Sequence, residues 1–540
     1  DAARQRPALA NAAAPARCKE MTSGTLRRRL DSLVRSPGFW ILLAAAFLYG
    51  WNVVPYWKAS WDSATYISLA ASIAEGKGYS YAGYPHTKYP PGFPLLLAPI
   101  VVLAGKNYLL MRLLMATCAV ASVGMAYLLI RRIASTSVAV AVALATATSY
   151  ALYFEATGIL SDLPYMVVSL CALYATDRFR EGFSRGVLLG VIACVIAASS
   201  FRAVGLVLAP AIVLSILLDA RGQSFPRRLR AAGAVAAAMA IATGLWVGRN
   251  ATVSQRLPPN LSEGIGYERE VVLVDPSSSH SETVGWATLT ERVGRNVDYY
   301  NGIAASMLTA RRAKDPIQVK LLGCLLVAGW AVSMFRRRGV VEYYTPLYAA
   351  AYLLWPAHQG DRFFVPILPM LLFYGLQPLL ALADAASGFV GKRLPDAQGA
   401  ALRSGARGLL LASWTAALLV WNQPLLSTQI NTEHQKPYYR GVQAEYIDAF
   451  LWIRENTPDD AVIITNRAPW CVLWTGRRSF TVPQVSDNRE ILDSIGQNGG
   501  THAIANAFTK RYLNRAIEAF PERFRERERI GTTIVYEFVR

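Results

Sequence analysis

The chain has 540 residues, 53% of them hydrophobic and 17% charged, with a formal net charge of +19. An ordinary soluble domain carries about a quarter of its residues as charges, and a soluble chain of this length divides into several domains with charged surfaces. Here the charges are bunched between long apolar runs, and the basic residues sit in the short loops where they orient membrane helices, which argues against nucleic acid as a partner.

In chain order, residues 1–36 form a basic segment, Ala-rich and without an apolar h-region, so it is not a cleavable signal; residues 1–20 read as an extension ahead of Met21. About eleven apolar segments follow, each near the ~20 residues that cross a hydrocarbon core. They lie near 38–57, 108–130, 136–155, 163–177, 186–201, 203–219, 231–248, 317–335, 340–357, 363–383 and 407–423. Between the first two, the loop 58–107 carries helical apolar spacing over Asp62–Ala74 and an apolar run over Phe93–Ala104, both expected as interfacial helices. The loop 250–316 is polar, and its Pro258-Pro259 pair and Ser277–Ser279 run predict a mobile part. After 424 the pattern changes to a compact α/β domain. Tyr446–Glu455 has helical periodicity, Ala461–Thr465 is a short buried strand after the Pro458-Asp459-Asp460 turn, and Thr533–Tyr536 is the last strand. The expected fold class is thus a polytopic α-helical membrane protein (37–423) with a small C-terminal α/β domain (424–540).

The basic clusters set the orientation. Arg27–Arg29, Arg131–Arg132, Arg178/Arg180/Arg185, Arg221/Arg227/Arg228/Arg230, Arg336–Arg338 and Lys392–Arg393 all fall on one side if the N-terminus is cytoplasmic. The loops 58–107 and 250–316, the turns near 156–162 and 358–362, and the tail then lie outside. The six cysteines (Cys18, Cys118, Cys171, Cys194, Cys324, Cys471) form no CxxC pair, and most lie in apolar runs, so neither a disulfide framework nor a zinc site is expected.

Ionisable residues at the ends of spans mark function more often than ordinary surface charges do. Asp62 follows Trp61 just after the first span and is either a helix cap or a catalytic carboxylate. His86-Thr87-Lys88-Tyr89-Pro90-Pro91 is a rigid turn whose His and Lys suit a phosphate. Asp162, two residues before Pro164, opens the fourth span as a cap would. Arg202, between spans five and six, and Arg362, in His358-Gln359-Gly360-Asp361-Arg362, both stand against the positive-inside bias. Snorkelling to headgroups is the plainer reading of each. Together with Lys88 they suggest a phosphate site on the outer side.

These motifs resemble those of a family. Trp61-Asp62 after the first span, followed by Tyr89-Pro90-Pro91-Gly92-Phe93-Pro94-Leu95-Leu96-Leu97, is similar to the first external loop of GT-C glycosyltransferases. Ser161-Asp162-Leu163-Pro164 and Asp361-Arg362-Phe363-Phe364-Val365-Pro366 also look like motifs of that superfamily, nearest to protein O-mannosyltransferases and lipid A aminoarabinose transferases. The likeness covers most of 38–375, and Leu451-Trp452-Ile453-Arg454-Glu455-Asn456-Thr457-Pro458 resembles the soluble domain of bacterial members. The chain departs from relatives at Ser63, where several carry a second acidic residue, and at Tyr89, where aminoarabinose transferases place lysine.

The resemblance implies a hexosyl- or pentosyltransferase of the plasma (inner) membrane and cell envelope. It would move a sugar, with inversion, from a polyprenyl-phosphate donor to a lipid, glycan or protein acceptor on the extracytoplasmic side. By family position Asp62 is the base, and Asp162 a second carboxylate orienting the acceptor or a divalent cation. No other cofactor is implied, and no Asp-x-Asp pair or His cluster marks a metal site. Lys88, Arg202 and Arg362 would meet the charge on the leaving phosphate. His86, Tyr89, His358 and Asp361 are further candidates beside them. The competing readings are a transporter or flippase of a lipid-linked sugar or anion, and a non-catalytic scaffold or receptor. No internal repeat or broken midplane helix favours the former. The latter leaves the carboxylates and arginines without a common task.

Overall fold

In the computed structural model the described residues are 34–219, 221–255, 266–274, 281–391 and 394–539. Arg27–Arg29, Cys18, Pro258-Pro259, Ser277–Ser279 and Lys392–Arg393 lie outside them. The membrane part is a succession of helices: α1 (Pro37–Trp51), α2 (Trp61–Ala74), α3 (Gly92–Ala104), α4 (Tyr108–Ile133), α5 (Thr136–Ala147), α6 (Tyr150–Ala156), α7 (Asp162–Gly182), α8 (Arg185–Phe201) and α9 (Leu208–Leu217). These are followed by α10 (Phe225–Ser254), α11 (Tyr267–Val272), α12 (Trp286–Thr309), α13 (Pro316–Arg337), α14 (Val340–Leu353), α15 (Leu368–Gly391) and α16 (Asp396–His434). A two-residue hairpin, β1 (Ser80–Tyr81) and β2 (Tyr84–Pro85), joins α2 to the turn before α3.

Each of the eleven apolar segments read from the sequence contains a helix, although the first, read at 38–57, is helical only to Trp51 and the third, read at 136–155, is broken between Ala147 and Tyr150. Among the described residues five helices are long and apolar enough to cross a membrane: α4, α10, α13, Val365–Gly391 (which contains α15) and α16. The pair α5 and α6, bent by 51°, makes a sixth, and α1, α3, α8 and Ala203–Leu217 are shorter apolar helices. Local chemistry sets several ends. Pro37 opens α1 and Pro316 opens α13, where a missing amide hydrogen costs nothing. Asn107 caps α4 by accepting from the Leu110 amide at 3.1 Å. Arg131 and Arg132 fill the last turn of α4, and Arg336 and Arg337 that of α13, where cations suit the helix dipole as well as the topology.

Two expectations change in extent. The polar segment 250–316 contains the 24-residue helix α12, whose Asn296, Tyr300, Ala304 and Leu308 are buried. Their i, i+4 spacing is amphipathic, but Arg292, Arg295 and Asp298 on the same helix lower its mean hydropathy below a span's. The last span, read at 407–423, is the middle of α16, which runs 39 residues to His434.

The C-terminal part folds as a five-stranded mixed sheet in the order β4-β3-β5-β7-β6: β3 (Val462–Ile464), β4 (Arg478–Phe480), β5 (His502–Ala505), β6 (Phe524–Ile530) and β7 (Thr533–Phe538). β3 is parallel to β4 and β5, with Ile463 opposite both Ser479 and His502. β7 runs antiparallel to β5 and β6. Alternation along the strands splits the core into two faces. Ile463, Ile504 and Val535 pack with α17 (Val442–Asn456) and α18 (Ala468–Thr475). Val462, Ile464 and Ala503 pack with α19 (Asn488–Gln497) and α20 (Leu513–Ala519). The sheet part meets the membrane part at α2: Leu473 of α18 joins the buried cluster of Trp57, Ile67, Phe93 and Met111, and Lys106 donates to its carbonyl at 2.8 Å.

Candidate active site

The first question is what the two carboxylates do at their helix ends. Helix α2 is capped by Ser60, whose hydroxyl accepts from the Ser63 amide at 3.2 Å. The cap reading of Asp62 therefore gives way. Its Oδ1 accepts from the Tyr89 hydroxyl at 2.7 Å and its Oδ2 pairs with Arg362 Nη1 at 2.5 Å. Asp162 opens α7 but its carboxylate also turns inward, pairing with Arg202 through one oxygen and with Arg362 Nε at 2.8 Å through the other. Both arginines are engaged by carboxylates, which snorkelling to headgroups does not require. Arg362 thus bridges Asp62 and Asp162, from segments 300 and 200 residues away. Asp162 is fully buried, and the Arg362 and Asp62 side chains are only 14% and 16% exposed. Two negative and two positive charges make a neutral, nearly dry centre.

The backbone around this centre is held by close packing. Gly92, at the start of α3, lies against Ser200, and an added Cβ would sit 2.6 Å from the Ser200 carbonyl oxygen. Gly205 lies as close to Ala198 and Ser199. The turn that carries Arg202 is thereby pinned between the interfacial helix α3 and its own helix. Tyr66 of α2 bonds Ser161, just before Asp162, at 3.1 Å, and Tyr352 of α14 accepts from Arg202 at 3.4 Å. Arg362 rides on the short 3₁₀ turn Gly360–Phe363, steadied by Gln359 Oε1 at 2.8 Å.

Burial by itself pushes the Asp62 carboxyl up, but the Arg362 guanidinium and the Tyr89 hydroxyl outweigh it and hold the group below the usual 3.8. Burial, then the charge of Asp62, raises Tyr89 well above 10, so its hydroxyl stays a donor. His86 is buried near Lys88 and Arg249 and is pushed down to about 3. It is neutral, accepts from the Tyr89 amide at 3.0 Å and stacks on the Tyr89 ring with centroids 5.3 Å apart. It therefore shapes the Tyr89 turn and carries no charge for a phosphate. Lys88 pairs with Glu270 of α11 at 2.6 Å and stands 6.0 Å from the Tyr89 ring centroid.

The two remaining candidates lie to one side. His358 stacks on Tyr299 with centroids 3.8 Å apart and bonds Asn296 at 2.7 Å. Asp361 pairs with Arg311 at 2.8 Å. Both brace the turn that presents Arg362 and, among the described residues, touch neither Asp62 nor Asp162. Among the described residues no group of three or more His, Cys, Asp or Glu is gathered to hold a metal ion. The carboxylates Asp62 and Asp162 are joined through a guanidinium instead.

Four residues escaped the sequence reading. Arg249, near the end of α10, donates to the backbone oxygens of His86 and Tyr79, and Asn250 donates to that of Thr87 at 2.9 Å, so together they clamp the Lys88 turn. Arg249 stands near the end of α10 opposite the basic cluster Arg227, Arg228 and Arg230, an exception to the charge bias like that of Arg202. Lys58 bonds Thr157, lies over the Phe154 ring at 3.5 Å and approaches Glu433 to 3.9 Å; burial pushes it down to about 8 against the pull of Glu433. Glu155 is buried beside this group with one oxygen unpartnered among the described residues. The signal that could have found it is the one that marked Asp62 and Asp162, because Glu155 is an ionisable residue at the end of the apolar segment 136–155.

This architecture is that of GT-C enzymes. The structure is similar to ArnT from Cupriavidus metallidurans bound to undecaprenyl phosphate, at 14% identity and TM-score 0.59, over 92% of this chain and 97% of that one. It is also similar to the Archaeoglobus fulgidus oligosaccharyltransferase AglB in complex with an inhibitory peptide and a dolichol-phosphate, at 13% identity and TM-score 0.55, over 93% and 74%. Residues 88–246 match the family described as dolichyl-phosphate-mannose-protein mannosyltransferase, a span that holds Lys88, Tyr89, Asp162 and Arg202. A search of curated protein sequences finds no match. The chain thus shares its fold with these membrane glycosyltransferases, and part of it matches the mannosyltransferase family.

Proposed function

We propose that the protein transfers a sugar from a polyprenyl-phosphate donor to an acceptor on the extracytoplasmic face, with inversion, using Asp62 as general base. The observation that carries this reading is the convergence of Asp62, Asp162, Arg202 and Arg362, from four separate segments, on one nearly dry centre. The two solved relatives are named as bound to undecaprenyl phosphate and to a dolichol-phosphate, and an arginine pair with Lys88 nearby suits a phosphate.

The chemistry follows from charge. In the resting centre Arg362 is shared by two carboxylates. A donor phosphate draws Arg362 and Arg202 towards itself and loosens the hold of Arg362 on Asp62. Asp62 is then a buried carboxylate short of a counter-charge, and burial raises its proton affinity. The acceptor oxygen attacks C1 of the sugar as the C1–O bond to phosphate breaks, and the acceptor proton passes to Asp62. Negative charge leaves Asp62 as it develops on the phosphate, so the net charge of the site is constant through the step. Asp162 keeps Arg202 and Arg362 in place. A single displacement from the face opposite the phosphate inverts the anomeric centre.

The test is transfer by the purified protein in nanodiscs, given labelled polyprenyl-phosphate sugars and a panel of lipid, glycan and peptide acceptors. A glycosidic product of inverted configuration supports the reading. Translocation of intact lipid-linked sugar across a vesicle, with no product from any donor, replaces it with a transporter. Reporter fusions after Arg338 and after Arg440 check the side: they are expected on opposite faces of the membrane.

A further inference from the structure

The parallel strands β3, β4 and β5 end at one edge of the sheet, and the chain leaves them towards opposite faces: through α18 after β3, through α19 and α20 after β4 and β5. Open α/β sheets open a crevice where consecutive connections diverge in this way. A cavity of about 210 Å³ lies there, lined by Thr465, Asn466, Gln484, Phe508, Arg511 and Tyr512 among others. A second cavity, of about 340 Å³, lies on the other side of Phe508 and is walled by Arg440, Gln443, Tyr446, Arg467, Trp470 and, from the membrane part, Ala59. Ala59 stands three residues before Asp62, a chain length of at most about 11 Å. Phe508 lines both cavities and is 56% exposed. Phe508 thus stands between a cavity at the sheet edge and one that reaches the segment leading into Asp62, and the two are treated as one groove.

The lining has a definite chemistry. Neither cavity is lined by a carboxylate, yet three arginines line them; none of the three forms an ion pair among the described residues, and Arg440 donates to the Pro437 and Lys436 carbonyls. Arg467 lies over two aromatic rings, 5.0 Å from Trp470 and 5.4 Å from Phe508, and its Nε has no partner among the described residues. Flat aromatic faces meet the C–H faces of pyranose rings, and amides such as Asn466, Gln443 and Gln484 donate to and accept from hydroxyls. Unpaired guanidinium groups add a demand for carboxylate or phosphate. The combined volume is in the range of small-ligand sites.

We propose that this groove binds an anionic saccharide, a glycan bearing carboxylate or phosphate, and delivers its hydroxyl to Asp62 as the acceptor. The proposal rests on the transferase reading for its delivery step alone, since binding is measured without donor. The full-length protein in nanodiscs is titrated with trigalacturonate, mannose 6-phosphate, maltotriose and inorganic phosphate. At least one of the two anionic sugars is expected to bind tenfold or more tightly than both maltotriose and inorganic phosphate, and their ranking tells carboxylate from phosphate. Phe508→Ala, and Arg440→Gln with Arg511→Gln, change exposed side chains; each is expected to weaken that binding tenfold or more at an unchanged melting temperature. Equal binding of maltotriose, equal binding of inorganic phosphate, or wild-type binding by the variants overturns the groove. Arginine-dependent binding in a protein that transfers no sugar keeps the groove and removes the transferase reading. Sugar transfer without such binding removes the groove and keeps the enzyme.

Discussion

Replacing Asp62 with Asn separates structure from chemistry at the centre. Asn keeps the shape, but it has one acceptor oxygen where Asp62 uses two: with that oxygen on Arg362, its Nδ2 donates to the Tyr89 oxygen and the Tyr89 proton loses its acceptor. What is lost in the folded state is that hydrogen bond and the charge assistance of the contact with Arg362, between side chains 14% and 16% exposed, about 1–3 kcal/mol. Helix α2 keeps its cap, because Ser60 supplies it. The chemical loss is larger. An amide accepts no proton at neutral pH, and general-base catalysis contributes on the order of 10²–10⁴-fold, equivalent to about 2.7–5.4 kcal/mol of barrier. Single-turnover transfer with donor pre-bound is therefore expected to slow by that factor in Asp62→Asn, while the melting temperature moves by only a few degrees. A rate within threefold of wild type would show that Asp62 carries no proton. A collapse in melting temperature would show that the pair with Arg362 is structural first.

Other perturbations read different parts of the site. Arg362→Ala removes the bridge between two carboxylates, so donor KM is expected to rise about 10- to 100-fold and stability to fall by about 3 kcal/mol; Arg362→Lys should recover the stability and not the KM. Folded His86 stays neutral down to about pH 3, whereas an unfolded histidine protonates near 6.5, so stability is expected to fall as the pH drops between those values. The loss is on the order of 3–5 kcal/mol at the acid end, and acid melts of His86→Gln should lack that part of it. Gly92→Ala pushes a methyl group into the Ser200 carbonyl, and thermal melts should show a loss of about 1–3 kcal/mol with a weakened donor affinity as Arg202 shifts.

What the sequence makes legible here is what repeats locally. The apolar segments, the helices starting at Trp61 and Gly92, and the helix–strand order of the tail all follow from periodicities of 3.6 and 2. Asp62, Asp162, Arg202 and Arg362 stood out one at a time, as charges where membranes discourage them. A common site followed from their expected side of the membrane and the family resemblance, but their ion pairs did not, because Arg362 reaches Asp62 across 300 positions and nothing in either neighbourhood encodes the other. The same holds for the Lys88–Glu270 pair, formed across 182 positions by a short helix inside a segment read as polar loop. Helix α12 was hidden for another reason. Its apolar stripe is one-sided and its other face is charged, so averaging over a window erases it.

Helix α16 is 39 residues long, about 58 Å at 1.5 Å per residue, roughly twice the hydrocarbon thickness. Its far end is locked to the first membrane helices: Glu433 pairs with the buried Arg112 at 2.6 Å, and His434 meets the Trp51 carbonyl at 3.1 Å. Such a rod works as a gauge of both height and heading. One inserted residue swings everything beyond it by about 100° and lifts it about 1.5 Å, whereas four inserted residues restore the heading to within about 40° and lift it about 6 Å. Descendants of this chain can therefore retune the gap between sheet and carboxylates in steps of a helical turn, leaving the reacting residues untouched. Single-residue changes of length would aim the sheet away from them.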